Sequence, residues 1–160
     1  MTTEVEPKRP RSGTYRPIVV LAVLSMLVCG LVFPLVVTGI AQGAFPYQAN
    51  GSQATLNGRS VGSYLVDNNF TIPVFFQGRN ESNPMNASAS GVDPDIPLSY
   101  ALSQVPRIHN ATGIPEASLV AIVTSHVQWT IWIGGSPYVN VLALNLALIG
   151  DYPAAYPGYS

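Results

Sequence analysis

The sequence predicts an α+β extracytoplasmic domain tethered by a single N-terminal transmembrane helix. Three observations predict it. Ile18–Ala41 holds no charged side chain, and a helix of that length reaches roughly 36 Å, enough to cross a hydrocarbon core with some tilt. Lys8, Arg9, Arg11 and Arg16 precede it, four of the seven Lys and Arg in the chain. The positive-inside rule then puts the tail in the cytoplasm and residues 42–160 outside. Those residues mix helix-like and strand-like apolar periodicity, broken by Gly and Pro.

Taken in order, residues 1–17 are a polar, basic, Pro-containing tail with no apolar pattern to fold around. A secretory signal peptide is the rival reading of the first 43 residues, with Ala41-Gln42-Gly43 as its cleavage site. The apolar run exceeds the usual h-region of about 7–15 residues, which favours an uncleaved anchor over 18–41. Within it Pro34 lacks an amide donor and crowds the carbonyl of Gly30, predicting a kink. Gly30 and Gly39 leave room for another helix, or are simply tolerated, as Gly is in many membrane helices. Cys29 is the one cysteine, so the domain has neither a disulfide nor a cysteine-based metal knuckle.

After the helix, Phe45 and Tyr47 suit a membrane–water interface. Val61–Val66 and Pro73–Gln77 read as short strands parted by a turn at Asp67-Asn68-Asn69. Residues 78–96 read as a long surface loop. Leu98–Ala111 reads as a helix interrupted or restarted at Pro106. Pro115–His126 reads as a helix with Leu119, Val120, Ile122, Val123 and His126 on one face. Val127–Ile133 alternates like a strand, with Trp129 on its apolar side, and Gly134-Gly135-Ser136-Pro137 turns the chain. Val139–Ile149 is apolar nearly all round, and its Leu and Ala content favours a buried helix. The C-terminal DYPAAYPGYS reads as irregular.

Charged residues are 9% of the chain and the net charge is −1. Such a chain offers nucleic acid no field. Phosphate-loop, dinucleotide, zincin and serine-elbow motifs are missing, so an enzyme acting alone is not supported. Asp93-Pro94-Asp95 reads as a turn before it reads as a cation site. His109 and His126, with no acidic or Cys partner in motif spacing, read as capping or surface residues rather than metal ligands. Arg79, in Gln77-Gly78-Arg79, either clamps an anion or a partner's carboxylate or sits solvated in a loop. Asn-x-Ser/Thr sequons at Asn50, Asn69, Asn80, Asn86 and Asn110 fit an exterior domain and are candidate glycosylation sites.

Five stretches, taken together, resemble one family. The membrane exit CGLVFPLVVTGIAQGAFPYQANGS carries its pattern at Gly30, Phe33-Pro34-Leu35, Thr38, Ala41-Gln42 and Phe45 to Ser52. VGSYLVDNNFTIPVFFQGRNES continues it at Gly62, Ser63, Leu65, Phe70, Phe75, Phe76, Gly78 and Arg79. SASGVDPDI, SQVPRI (Gln104 to Arg107) and VNVLALNLAL (Val139–Leu148) follow in order. The chain is similar to the C subunit of the Kdp potassium-transporting P-type ATPase, in a short variant. In place of the family's long segment, Ser82–Ala89 runs almost directly into Ser90-Gly91-Val92-Asp93-Pro94.

The resemblance implies a non-catalytic accessory subunit, needed for assembly and stability of the complex. Its partners would be the pore-forming subunit and the pump subunit of the Kdp complex, together with the lipid bilayer. ATP and potassium would be handled by the complex, with no cofactor or metal bound directly. A catalytic-chaperone role, raising the pump subunit's ATP affinity, is also implied. The family's proposed nucleotide contact is a Gln, but the matching place here is Ser118, and the predicted topology puts ATP across the membrane from it. Pro34, Gln42, Phe45, Gln48, Asn50, Gln77, Arg79, Gln104 and Arg107 are the candidates for interface or structural contacts. The alternative is a pilin-like or surface-coat structural protein, although the Glu usual in a pilin's apolar helix is absent.

Overall fold

The computed structural model describes residues 15–79, 88–130 and 135–159. The chain forms two compact units, one ending at Ala49 and the other beginning at Asn50.

The first unit is helical. Tyr15–Ala44 forms one apolar helical run, long enough to cross a membrane by length and composition. It is built from α1 (Tyr15–Leu27), a π-helical turn at Val28–Val32, and α2 (Phe33–Ala44). The Phe33 amide donates to the Val28 carbonyl, five residues back. The predicted effect of Pro34 was a kink; the structure has a wide turn over Val28–Val32 that holds Gly30 and ends two residues before the proline. A short α3 (Pro46–Ala49) follows.

The second unit opens with a hairpin of β1 (Gln53–Leu56) and β2 (Arg59–Ser63). Asn57 and Gly58 make its two-residue turn with φ of 51° and 75°, the left-handed pair that matches strand twist. The register slips between Ala54 and Thr55, leaving Val61 as the extra residue of a bulge. The predicted Val61–Val66 strand therefore starts at Arg59 and stops at Ser63. Asn68 closes the turn behind it: its Oδ1 accepts from the Ser63 amide and its Nδ2 donates to the carbonyls of Ser63 and Val66.

β3 (Asp95–Pro97) pairs antiparallel with β4 (Tyr138–Asn140), and a bridge from Gln128 to Tyr138 adds to it. β3 leads directly into α4 (Leu98–Thr112), β4 directly into α6 (Val141–Asp151), and α5 (Glu116–Ser125) lies between. Ala101, Gln104, Val105 and Ile108 give α4 its buried stripe. Contrary to expectation, α4 runs unbroken through Pro106. The ring lies on the exposed side, where solvent can satisfy the carbonyl its missing amide leaves. Gly113 ends α4 in the left-handed conformation at φ 76°. The His109 ring donates from Nδ1 to the Ile114 carbonyl across that end, and His126 does the same to Ile122 at the end of α5.

Several sequence expectations are corrected. Pro73–Gln77 is not a strand; it turns at residues 72–75 and continues irregularly. Val120 faces outward on α5, whose buried face is Leu119, Ile122 and Val123. Trp129 is 67% exposed rather than on a buried strand face, and residues 131–134 lie outside the described residues. The first residues of Val139–Ile149 belong to β4, and the helix begins at Val141. The tail is not all peripheral: Tyr156 is 2% exposed, stacked on Phe75 at 5.1 Å between ring centroids.

Candidate partner interface

A segment without regular structure, Pro73–Arg79, gathers most of the polar side chains singled out in the sequence. It lies between α4 and α6 and is paired by side chains instead of a neighbouring strand. Asn145 of α6 accepts from the Phe76 amide at 2.8 Å and donates to the Phe76 carbonyl at 2.9 Å. Gln104 of α4 repeats the arrangement on the next residue, accepting from the Gln77 amide at 2.8 Å and donating to its carbonyl at 3.0 Å. Each amide mimics a peptide group opposite a strand. Both are buried, Asn145 to 1% and Gln104 to 6% exposure, where an unpaired polar group is costly.

Arg107, one turn beyond Gln104, donates to the carbonyls of Pro73 and Phe75 and to Gln104 Oε1. Burial pulls its pKa below the ordinary arginine value, though the group stays charged. Tyr156 donates to the Val74 carbonyl at 2.8 Å, and burial pushes its phenol up to about 12. Carbonyls from Pro73 to Gln77 are thereby met by four side chains from α4, α6 and the tail.

At the far end, Arg79 donates from Nε to the Asp95 carbonyl and pairs through Nη2 with Asp93 at 3.0 Å. Asp93 also accepts from the Asp95 amide, so Asp93-Pro94-Asp95 is a turn locked by Arg79. Asp95 itself accepts from Asn140, which caps α6 through Ala143 and donates to the Tyr64 carbonyl. Burial raises the Asp95 pKa, with Asp93 adding to the effect; the Asn140 hydrogen bond and Arg79 oppose it. Beside Arg79 opens a polar hollow of about 280 Å³ lined by Asp67, Thr71, Gln77, Gly78 and Tyr100. A Cβ at Gly78 would stand 2.7 Å from both Asp67 carboxylate oxygens, so the glycine lets that carboxylate close in.

The structure thus brings Gln77, Arg79, Gln104 and Arg107 to one place. Each is engaged with the domain's own backbone. Asn50 is exposed at the start of the domain, while Pro34, Gln42, Phe45 and Gln48 belong to the helical unit, all on its exposed surface. Ser118 sits half-buried in the first turn of α5, its amide bonded to the Pro115 carbonyl. Of the sequon asparagines, Asn50, Asn69 and Asn110 are exposed, and Asn80 and Asn86 lie outside the described residues. No group of three metal-ligating side chains occurs among the described residues. Sequence reading missed Asn140 and Asn145 as organising residues. The signal was there: two amides in the otherwise apolar run Val139–Ile149, one capping the helix and one inside it, must be buried, and buried amides need partners.

Fold and site define an α+β domain carried on one apolar helix, with the buried amides of Gln104 and Asn145 committed to shaping a single strap. The family model described as K+-transporting ATPase, c chain matches residues 15–87 and 81–149. The chain belongs to that family. It is 35% identical to the potassium-transporting ATPase KdpC subunit of Caulobacter vibrioides (strain NA1000 / CB15N), over 86% of this chain and 93% of that protein. Against the subunit of the same name from Variovorax paradoxus the identity is 35%, over 86% and 96%. Against that from Dechloromonas aromatica it is 34%, over 83% and 95%. The Caulobacter alignment spans 185 positions, more than this chain's 160 residues, so relatives carry residues with no counterpart here. The two family matches overlap at 81–87. The chain is thus a subunit type of a potassium-transporting P-type ATPase, with one apolar helix fitting a single membrane pass.

Proposed function

We propose that the chain is a non-catalytic accessory subunit that assembles and stabilises a Kdp potassium-importing pump. The observation that carries this reading is the family match along both the apolar helix and the domain. The domain stands outside the membrane and the basic tail inside, a reading supported by the excess of Lys and Arg before the helix. Its partners are the pore-forming subunit and the pump subunit of that complex. ATP and potassium are handled by the complex, and the chain binds no cofactor itself. With the strap's polar groups internally committed, the domain acts as a preformed rigid surface that loses little entropy on docking. Any rise in the pump subunit's ATP affinity reaches it through the assembly, because Ser118 is separated from cytoplasmic ATP by the bilayer.

Affinity purification of the tagged full-length chain from its own membranes tests this. Partner subunits with potassium-stimulated ATP hydrolysis are the expected result. A chain recovered alone or as a filament, or processed near Arg11–Gly13, would return the reading to a pilin-like surface protein.

A further inference from the structure

The domain holds three cations, Arg59, Arg79 and Arg107, and two are committed internally. Arg79 is taken by Asp93 and the Asp95 carbonyl, Arg107 by three oxygens of the strap and α4. Arg59 differs. It is exposed at the start of β2, and no side chain among the described residues pairs with its guanidinium.

Next to it lies an apolar cleft of about 240 Å³ between the hairpin and α6, walled by Leu56, Val61, Phe70, Leu142, Leu146 and Ile149. A second hollow shares Leu56, Val61 and Tyr159 with the cleft and has Arg59 on its rim. Val61 is the bulge residue, and it stays 39% exposed although it walls the cleft. A cavity of about 150 Å³ with similar walls holds benzene and stays dry. The cleft, larger and open to solvent, therefore has room for one large apolar side chain.

We propose that this cleft is a socket for a partner subunit. It receives one bulky apolar side chain, and a carboxylate next to that side chain pairs with Arg59. An apolar pocket with a charged rim is how anchor residues are held at protein interfaces. The planar guanidinium suits a carboxylate in two-pronged geometry. Charge decides the polarity of the match: among the described residues Arg59 is the cation left without an ionic partner, while the domain's other two arginines are engaged. The inference rests on the multisubunit reading above.

The test uses the assembled complex from native membranes. A benzophenone amino acid at Asn57, beside the socket, should crosslink to a partner-subunit peptide with a bulky apolar residue flanked by Asp or Glu. Crosslinks to lipid alone, or to a peptide lacking a carboxylate, overturn the proposal. Arg59→Glu and the cleft-filling Leu146→Trp should each cut partner recovery by about tenfold, while Arg59→Lys keeps most of it. Arg59→Glu is a surface change, so its chain should unfold thermally as wild type does. Wild-type recovery in both variants overturns the socket while leaving the subunit reading intact. A wild-type chain that brings down no partner overturns both.

Discussion

Replacing Asn145 by alanine removes both hydrogen bonds to Phe76, made at 2.8 and 2.9 Å by a side chain only 1% exposed. Leaving a buried donor or acceptor unpaired costs about 1–3 kcal/mol each, hence about 2–6 kcal/mol for the two. The lower end applies, because Asn145 lines the open cleft beside the hairpin and water can follow the truncated side chain to the freed groups. A loss of about 2–3 kcal/mol is a large fraction of the roughly 5–15 kcal/mol that typically holds a domain together. It should lower the midpoint of thermal unfolding by about 10 °C. The purified full-length chain, followed by circular dichroism in mild detergent and by denaturant titration, gives the number. Asn145→Asp separates geometry from packing. Its carboxylate still accepts from the Phe76 amide but has no proton for the Phe76 carbonyl until it is protonated. Its deficit should therefore shrink as pH falls, whereas that of Asn145→Ala should not. A loss below about 0.5 kcal/mol in the alanine variant, within the range of ordinary surface changes, would refute the pairing of strap by side chain.

Three more perturbations probe other parts of the domain. At Gly62, φ is 153° and an added Cβ would lie 2.0 Å from Asn68 Oδ1; Gly62→Ala should cost at least about 2 kcal/mol by denaturant unfolding, and a neutral result would mean the bulge relaxes freely. The raised Asp95 pKa means that the folded chain holds this proton more tightly than the unfolded one. Stability from this group therefore rises as pH falls through the folded pKa toward the unfolded value of 3.8. Asp95→Asn, which keeps an acceptor for Asn140, should flatten that slope; an unchanged slope would assign it elsewhere. The Tyr156 phenol titrates at about 12 when folded against 10.0 when unfolded, so its contribution is complete below pH 10 and is lost progressively between those values. Tyr156→Phe should weaken that alkaline loss and remove about 1 kcal/mol at neutral pH through the Val74 hydrogen bond; an alkaline profile identical to wild type would exclude Tyr156 as its source.

Long, strongly patterned segments were legible in the sequence. The apolar run of the first unit announces itself by composition, α5 by a stripe at helical spacing, and α6 by its Leu and Ala content. The hairpin was missed although Asn57-Gly58 between β1 and β2 is a strong turn signal; the sequence reading passes over it and begins the strand only at Val61. Pro73–Gln77 could not be resolved locally. Its aromatic and β-branched residues fit a strand, but its partners are side chains 27 and 69 residues away. Trp129 misleads for a related reason: alternation shows a two-sided segment without saying which side meets a core. Tyr156 is buried because Phe75 and the Val74 carbonyl await it, and nothing in a Pro- and Gly-rich tail announces that. Of the site candidates, Gln77, Arg79, Gln104 and Arg107 come together. Which surface meets another chain depends on what each side chain has left over, and that is visible only once the internal bonds are drawn.

The side-chain pairing of the strap has a consequence for how the domain breathes. In a sheet, amide hydrogens exchange with solvent when neighbouring strands part. The amides of Phe76 and Gln77 are covered by one side chain each, from two different helices. Their exchange rates are therefore two independent local gauges, one of α6 seated on the strap and one of α4, placed side by side in the chain. A disturbance that lifts one helix will quicken one amide and leave its neighbour slow.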